Sequence, residues 1–357
     1  MITACLALLS FGAAAQTEVT SYTPGVTADG ITYCLPKTAL RIVITAEKEV
    51  YTPGEFAKYA DRYLRLKNVS MTPETHWTIK DIEMCPYGVP DPDKFYSIAL
   101  KKKTIAPLVS LNKDGILLSI NTEKSDEKLP AIPKRIQAPK ALNPRDYMNR
   151  EILAAESNAK IADLTAQEIY DIRESRSALI RGEADNTPKD GEQLKLMLNQ
   201  LTEQEEALSQ LFKGSYSTST EVFVIHLVPN DWTDKQILFR FSEKLGVVSN
   251  DDLAGSPIYI SIKNQQRLPQ PLPEKEEKGK KWKKKQDEGI HYNVPAPANI
   301  TIFDNTKSYS SNEISIAQFG YTEMFNNILF DKDATTKVTF FEENGGIEHI
   351  SNSETEP

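Results

Sequence analysis

The chain has 357 residues, 42 of them Lys or Arg and 50 Asp or Glu, giving a formal net charge of -8 and an isoelectric point of about 5.3. A hydrophobic fraction of 39% with 26% charged residues is that of an ordinary folded protein long enough for two domains, which excludes disorder of the whole chain. The acidic balance argues against nucleic acid as a partner, because phosphate binding rests on clustered positive charge.

The opening segment, "MITACLALLSFGAAAQ", places an apolar run from Ala4 to Phe11 ahead of Ala13, Ala14 and Ala15. That is the pattern of a signal-peptide core and an Ala-x-Ala cleavage site, so residues 1–15 read as a signal peptide cut before Gln16. No Lys or Arg precedes Lys37, so the basic region that usually opens such a peptide is missing. The run is far shorter than the ~20 apolar residues of a membrane-spanning helix, and no later stretch qualifies, so no transmembrane span is expected. The expected location is therefore outside the cytoplasm. Cys5 leaves with the signal, and the mature chain keeps Cys34 and Cys85. An even count in an oxidising compartment allows a disulfide between them, worth ~4 kcal/mol for a loop of this length by chain entropy, and two buried free thiols fit equally well.

"TALRIVITAEKEV" alternates Leu40, Ile42 and Ile44 with Arg41 and Thr45, the period of a strand with one buried face. Thr52, Pro53 and Glu55 then supply the pattern of a capping box with proline at the first helical position. Phe56, Tyr59, Ala60, Tyr63 and Leu64 follow at three- and four-residue spacing, so this aromatic face is expected to be core rather than a ligand platform. Strand patterns resume in "THWTIKDIEM", "FYSIAL" and "VSLNKDGILLSI", the last folded at Asp114-Gly115. Asn121 to Pro144 reads as a linker.

Thr165 and Glu168 form a second capping-box pattern ahead of Ile169, Ile172, Arg176 and Leu179, and "RGEADNTPKDG" breaks the helix. Asp190 can cap the next one, whose stripe is Leu194, Met197, Leu198, Leu201, Leu208 and Phe212. Two such helices joined by a short polar turn predict an antiparallel hairpin. Strand patterns fill the remainder, ending in "TKVTFFEENGGIEHI" with a turn at Asn344-Gly345. The expected fold class is α+β, two β-rich regions with a helical hairpin between them: 16–130 β-rich with one capped helix, 131–215 linker and hairpin, 216–357 β-rich.

"YCLPKTALRIVITAEKEVYTPGEFAKYADRYL", "IRESRSALIRGEADNTPKDG" and the closing hairpin resemble the DUF4831 proteins of the Bacteroidetes cell envelope over most of the mature chain. The resemblance implies an exported envelope protein, periplasmic or associated with the outer membrane, and transfers no catalytic residue, since that family has no established activity.

Chemistry is sparse. No nucleophile elbow, His-Glu-x-x-His or glycine-rich phosphate loop occurs, so no catalytic residue, metal ligand or cofactor is assigned. His76, His226, His291 and His349 are scattered, and His226 lies inside the strand pattern "VFVIHLV". "CPYG", Cys85 to Gly88, has Gly where a thiol-disulfide motif has its second cysteine. The pairs Asp91/Asp93, Asp251/Asp252 and Asp331/Asp333 lack the calcium-loop pattern and read as solvated turns. Around Trp282, Lys280, Lys281, Lys283 and Lys284 could grip an anionic surface, although Glu274, Glu276, Glu277, Asp287 and Glu288 flank them and an exposed self-neutralising loop is the simpler reading. Two functions follow. The first is a non-enzymatic structural or assembly protein with an envelope protein partner, recognised by an exposed apolar patch on the hairpin or a sheet edge. The second is a glycan-binding protein or glycan hydrolase, recognised by aromatics beside carboxylates in a cleft.

Overall fold

The computed structural model describes residues 25–27, 30–99, 109–185, 190–265, 268, 290–325 and 336–352. Three antiparallel sheets and a helical hairpin make up this part, so the α+β class holds, with the hairpin between β-rich segments.

Two long strands organise the molecule. The alternating pattern at Thr38–Val50 is the middle of β2 (Gly30–Thr52), and the separate strand patterns that begin at Thr75 and Phe95 belong, as far as Ala99, to one strand, β3 (Glu74–Ala99). β2 and β3 pair from Gly30↔Ala99 to Tyr51↔Glu74, with bulges near Pro36 and Thr45. On its other edge β2 pairs with β1 (Gly25–Thr27) and, over Leu40–Thr52, with β6 (Ser215–Leu227). The second sheet runs β11 (Ser308–Phe325), β10 (Ile290–Phe303), β9 (Ser256–Asn264), β7 (Thr233–Ser242), β8 (Gly246–Val248). The third runs β13 (Ile347–Asn352), β12 (Thr336–Phe340), β5 (Leu117–Ile120), β4 (Val109–Leu111).

Burial follows the alternation. Leu40, Ile42 and Ile44 of β2 meet Ile258, Ile260, Ile300, Ile302 and Ile316 of the second sheet, forming a sandwich core. The earlier part of β2 uses Ile31, Tyr33 and Leu35 against Leu117, Ile120, Val338 and Phe340 of the third sheet. At the junction of the two cores Asn293 is fully buried and fully used. Its Nδ2 donates to the carbonyls of Pro36 (3.0 Å) and Asn344 (2.9 Å), and its Oδ1 accepts from Lys94 Nζ (3.1 Å). These are backbone and packing roles, so the "YCLP" segment and the closing hairpin carry architecture.

The first helix begins later than its capping-box pattern implies. Thr52 stays in the β2–β6 ladder opposite Ser215, and α1 is only Ala60–Leu64, preceded by a 3-10 turn at Ala57–Tyr59, with no side-chain cap. The reason is tertiary: Phe56 N–H donates to the Leu211 carbonyl at 2.6 Å, which pins the chain before a helix can start. Phe56, Ala60 and Leu64 are buried as the spacing requires, while Tyr59 and Tyr63 pack on them only partly buried.

After a linker containing a 3-10 turn (Pro144–Tyr147) and α2 (Arg150–Ala154), α3 spans Asn158–Arg181. Its cap is Ser157, whose Oγ accepts from Lys160 N–H, eight residues before Thr165, which with Glu168 was expected to open the helix. Thr165 instead lies buried inside the helix and donates to the Ile161 carbonyl at 2.7 Å, which satisfies its hydroxyl without a cap. Gly182 ends α3 with φ +71°, and Asp190 caps α4 (Gly191–Lys213) as its position predicts. The two turns also behave as glycine punctuation requires: Gly115 takes φ +81° between β4 and β5, and Gly345 φ +68° between β12 and β13. The second loop is longer than a two-residue turn, running from Phe341 to Gly346 and closed by Gly345 N–H to the Phe341 carbonyl at 2.7 Å.

Candidate interaction site

Two surfaces stand out, the far end of the helical hairpin and a cleft on the open side of the sandwich. The hairpin packs at its base, where Ala162, Ala166, Ile169 and Ile172 of α3 meet Leu208, Leu211 and Phe212 of α4 and Phe56 of the first sheet's return. Arg173 Nε and Arg176 Nη1 both reach the Glu205 carboxylate, at 2.6 and 2.5 Å, and tie the helices just beyond this cluster. Past Ile172 and before Leu201 the pair continues for roughly nine residues, about 14 Å at the helical rise. Leu179 is still buried there, so the helices remain in contact. Ile180 and Leu196, however, are 67% and 62% exposed, and Met197 is 40% exposed. The apolar stripe read from the sequence of α4 is thus core only in its second half.

The cleft has a volume of about 410 Å³. One wall is the edge strand β11 at Asn312, Glu313, Ile314 and Ser315; the facing wall is β3 at Met84 and Pro86; the β12–β13 loop closes one end with Phe341, Glu343 and Asn344. That loop is held in place. The Glu342 carboxylate accepts from Asn112 Nδ2 and Glu127 N–H, both at 2.8 Å, and Lys124 Nζ donates to the Phe340 carbonyl at 2.8 Å while pairing with Glu127 and Glu348. Burial raises the pKa of the Glu343 carboxyl above the ordinary carboxylate value. The Lys124 ammonium opposes that shift, whereas hydrogen bonding to it holds Glu348 below its usual value. The cleft thus has an apolar floor, an acidic end and one half-open aromatic ring.

The structure does not bring Cys34 and Cys85 together. Cys85 lies opposite Arg41 and Cys34 lies seven residues earlier on β2, roughly 23 Å at strand rise. A disulfide needs Cα atoms within about 7 Å, and both thiols are free. Cys34 is buried, its Sγ donates to the Asp114 carbonyl, and burial pushes its pKa up to about 11; burial raises that of Cys85 too. Lys280, Lys281, Trp282, Lys283 and Lys284 lie outside the described residues, as do Asp331 and Asp333. His226 sits in β6 and its Nδ1 bonds the Tyr87 hydroxyl at 2.8 Å. Asp91 is buried in an ion pair with Lys37 at 3.0 Å, and Asp252 accepts from Ala254 N–H in a turn. Among the described residues no group of three His, Cys, Asp or Glu side chains could hold a metal ion, and no helix is long and apolar enough to cross a membrane.

Sequence reasoning missed the cleft because its walls come from three separate segments, one of them more than two hundred residues from the other two, none carrying a motif. Only the turn at Asn344-Gly345 was a local signal of any part of it. Residues 29–348 match a family described as a domain of unknown function, DUF4831. No curated protein and no solved structure matches the chain.

Proposed function

Because the chain belongs to the DUF4831 family, whose description assigns no activity, we propose from its own residues that it is an exported envelope protein that works by binding another protein. Export is supported by the apolar run and the Ala-x-Ala pattern before Gln16. The observation that carries the binding reading is the hairpin end. Two helices tied by half-exposed Arg173 and Arg176 on Glu205 project past their own core and leave Ile180, Leu196 and Met197 to solvent. A monomer gains nothing from an apolar helix end held out in water, whereas a partner groove would bury it.

The test is affinity isolation of the full chain from its native envelope, in parallel with an Ile180→Asp, Leu196→Asp variant. A specific co-purifying protein that the variant loses supports the reading. Absence of any specific partner, or a partner retained by the variant, counts against it. Mature protein is expected to begin at Gln16; mass spectrometry finding intact Met1 in the cytoplasmic fraction would end the export reading.

A further inference from the structure

We propose that the side chains of Lys94 and Asn293 join in an isopeptide bond, formed by the folded chain itself, that locks the first sheet to the second. This goes beyond the hairpin reading and stands or falls separately. Lys94 lies on β3 and Asn293 on β10, 199 residues apart in the chain. Its Nζ stands 3.1 Å from Asn293 Oδ1, so an amine and a carboxamide are held at contact distance, the range from which oriented groups react. Asn293 has no exposed surface, so water does not compete for its carbonyl carbon.

The surroundings suit that reaction. Asn293 Oδ1 also accepts from Thr322 Oγ1 at 3.4 Å, a second donor toward the oxygen on which negative charge develops. Asn293 Nδ2 is fixed by the carbonyls of Pro36 and Asn344, at 3.0 and 2.9 Å, so the carboxamide cannot turn away from Lys94. The nucleophile has to be a neutral amine. Burial lowers the pKa of the Lys94 ammonium; the Asp91 carboxylate opposes that shift and the Lys37 ammonium adds to it. Asp91, 4% exposed, is itself committed to Lys37 at 3.0 Å, and among the described residues Lys94 forms no ion pair. Of the two lysines, Lys94 is therefore the one that gives up its proton at least cost.

In the step itself, neutral Lys94 Nζ attacks Asn293 Cγ, a C–N bond forms, and the carbonyl electron pair moves onto Oδ1. The carbonyl re-forms as the Cγ–Nδ2 bond breaks, and a proton from the attacking nitrogen passes to Nδ2, which departs as ammonia. Nothing is oxidised or reduced. An amine and a primary amide become a secondary amide and ammonia, a mass loss of about 17 Da. The bond spans the junction of the two buried cores, where Asn293 already holds the closing hairpin. A cross-link over so long a loop restricts the unfolded chain strongly, which suits a protein exposed outside the cell to pulling and proteolysis.

The test is peptide mapping of the purified full chain by mass spectrometry. The expected result is a branched tryptic peptide containing both residues, uncut after Lys94 and about 17 Da lighter than its two parts together. An amino-terminal Gln16 loses the same mass when it cyclises, so the deficit is assigned from fragment ions across the branch. Acetylation of the unfolded wild type with an N-hydroxysuccinimide ester should modify the other lysines and spare Lys94. Lys94→Arg keeps the donor and the charge but has no nucleophilic amine, so it should give no branched peptide, and its unfolded chain should migrate differently from the linked wild type in a denaturing gel. Two linear peptides from the wild type, with Lys94 acetylated, would overturn the proposal and leave the contact a hydrogen bond. A branch from Lys94 to a residue other than Asn293 would overturn it too. Both decisive readings are taken on the wild type, so they hold should Lys94→Arg fail to fold.

Discussion

Replacing Gly88 with Ala tests whether the β12–β13 loop is seated as tightly as the structure shows. Gly88 lies opposite Thr38 on β3, and a Cβ there would stand 2.2 Å from the Glu342 carbonyl oxygen and 3.2 Å from Pro36 Cβ. Carbon and carbonyl oxygen approach to about 3.3 Å at best, so something must move by about 1 Å. The oxygen is backbone, and its residue is held by Asn112 and Glu127 through the side chain, while Asn293 grips the carbonyl two residues on, at Asn344. The loop cannot yield without loss. Overpacking of this kind costs about 1 to 3 kcal/mol, and Ala offsets about 0.4 to 1 kcal/mol by restricting the unfolded chain, leaving a net loss of about 1 to 2 kcal/mol. Gly88 is not among the residues with positive φ, so backbone strain does not add to it. Urea unfolding should show a lower midpoint with an unchanged slope. A variant within about 0.5 kcal/mol of the wild type would refute the claim that this glycine exists for the loop's approach.

Phe212, fully buried against Phe56 at 5.6 Å between ring centroids, anchors the hairpin base, so Phe212→Ala should lose about 3 to 5 kcal/mol in the same assay. Ser157→Ala should cost about 1 kcal/mol through loss of the α3 cap, whereas Thr52→Ala, at an exposed strand end, should stay within about 0.5 kcal/mol; the reverse order would restore the capping-box reading of the first helix. Non-reducing peptide mapping should recover Cys34 and Cys85 unlinked, and Cys34 should resist iodoacetamide at pH 7 until the chain is unfolded; a linked peptide would contradict the strand register. Because the folded-state pKa of Glu343 is raised, its contribution to stability is fully present below the unfolded carboxylate value and is lost as pH rises through the folded one. Glu343→Gln should therefore gain stability relative to wild type at pH 7 and not at pH 4, and equal differences at both values would remove the effect.

What the sequence determined by itself was periodicity and punctuation. Leu40, Ile42 and Ile44 alternate and are buried, Leu208 and Phe212 recur at helical spacing and are buried, and Gly115, Gly182 and Gly345 take the positive φ that turns and helix ends need. These are local matters, since one residue's sterics and a few neighbours' polarity settle them. Caps were half legible for the same reason. Asp190 had no competitor and caps α4, but Thr52 was claimed by a strand whose other member, β6, lies more than 160 residues away. The tertiary structure alone decided that two strand patterns fuse into β3, that the thiols of Cys34 and Cys85 stand on distant rungs, and that the first half of the α4 stripe stays outside the core, with Met197 exposed and Leu194 and Leu198 half-buried. It also placed β11 across a cleft from Met84. Register and edges are properties of pairs of segments, and the free energy that selects them is the burial of both faces together, which no window along one chain contains.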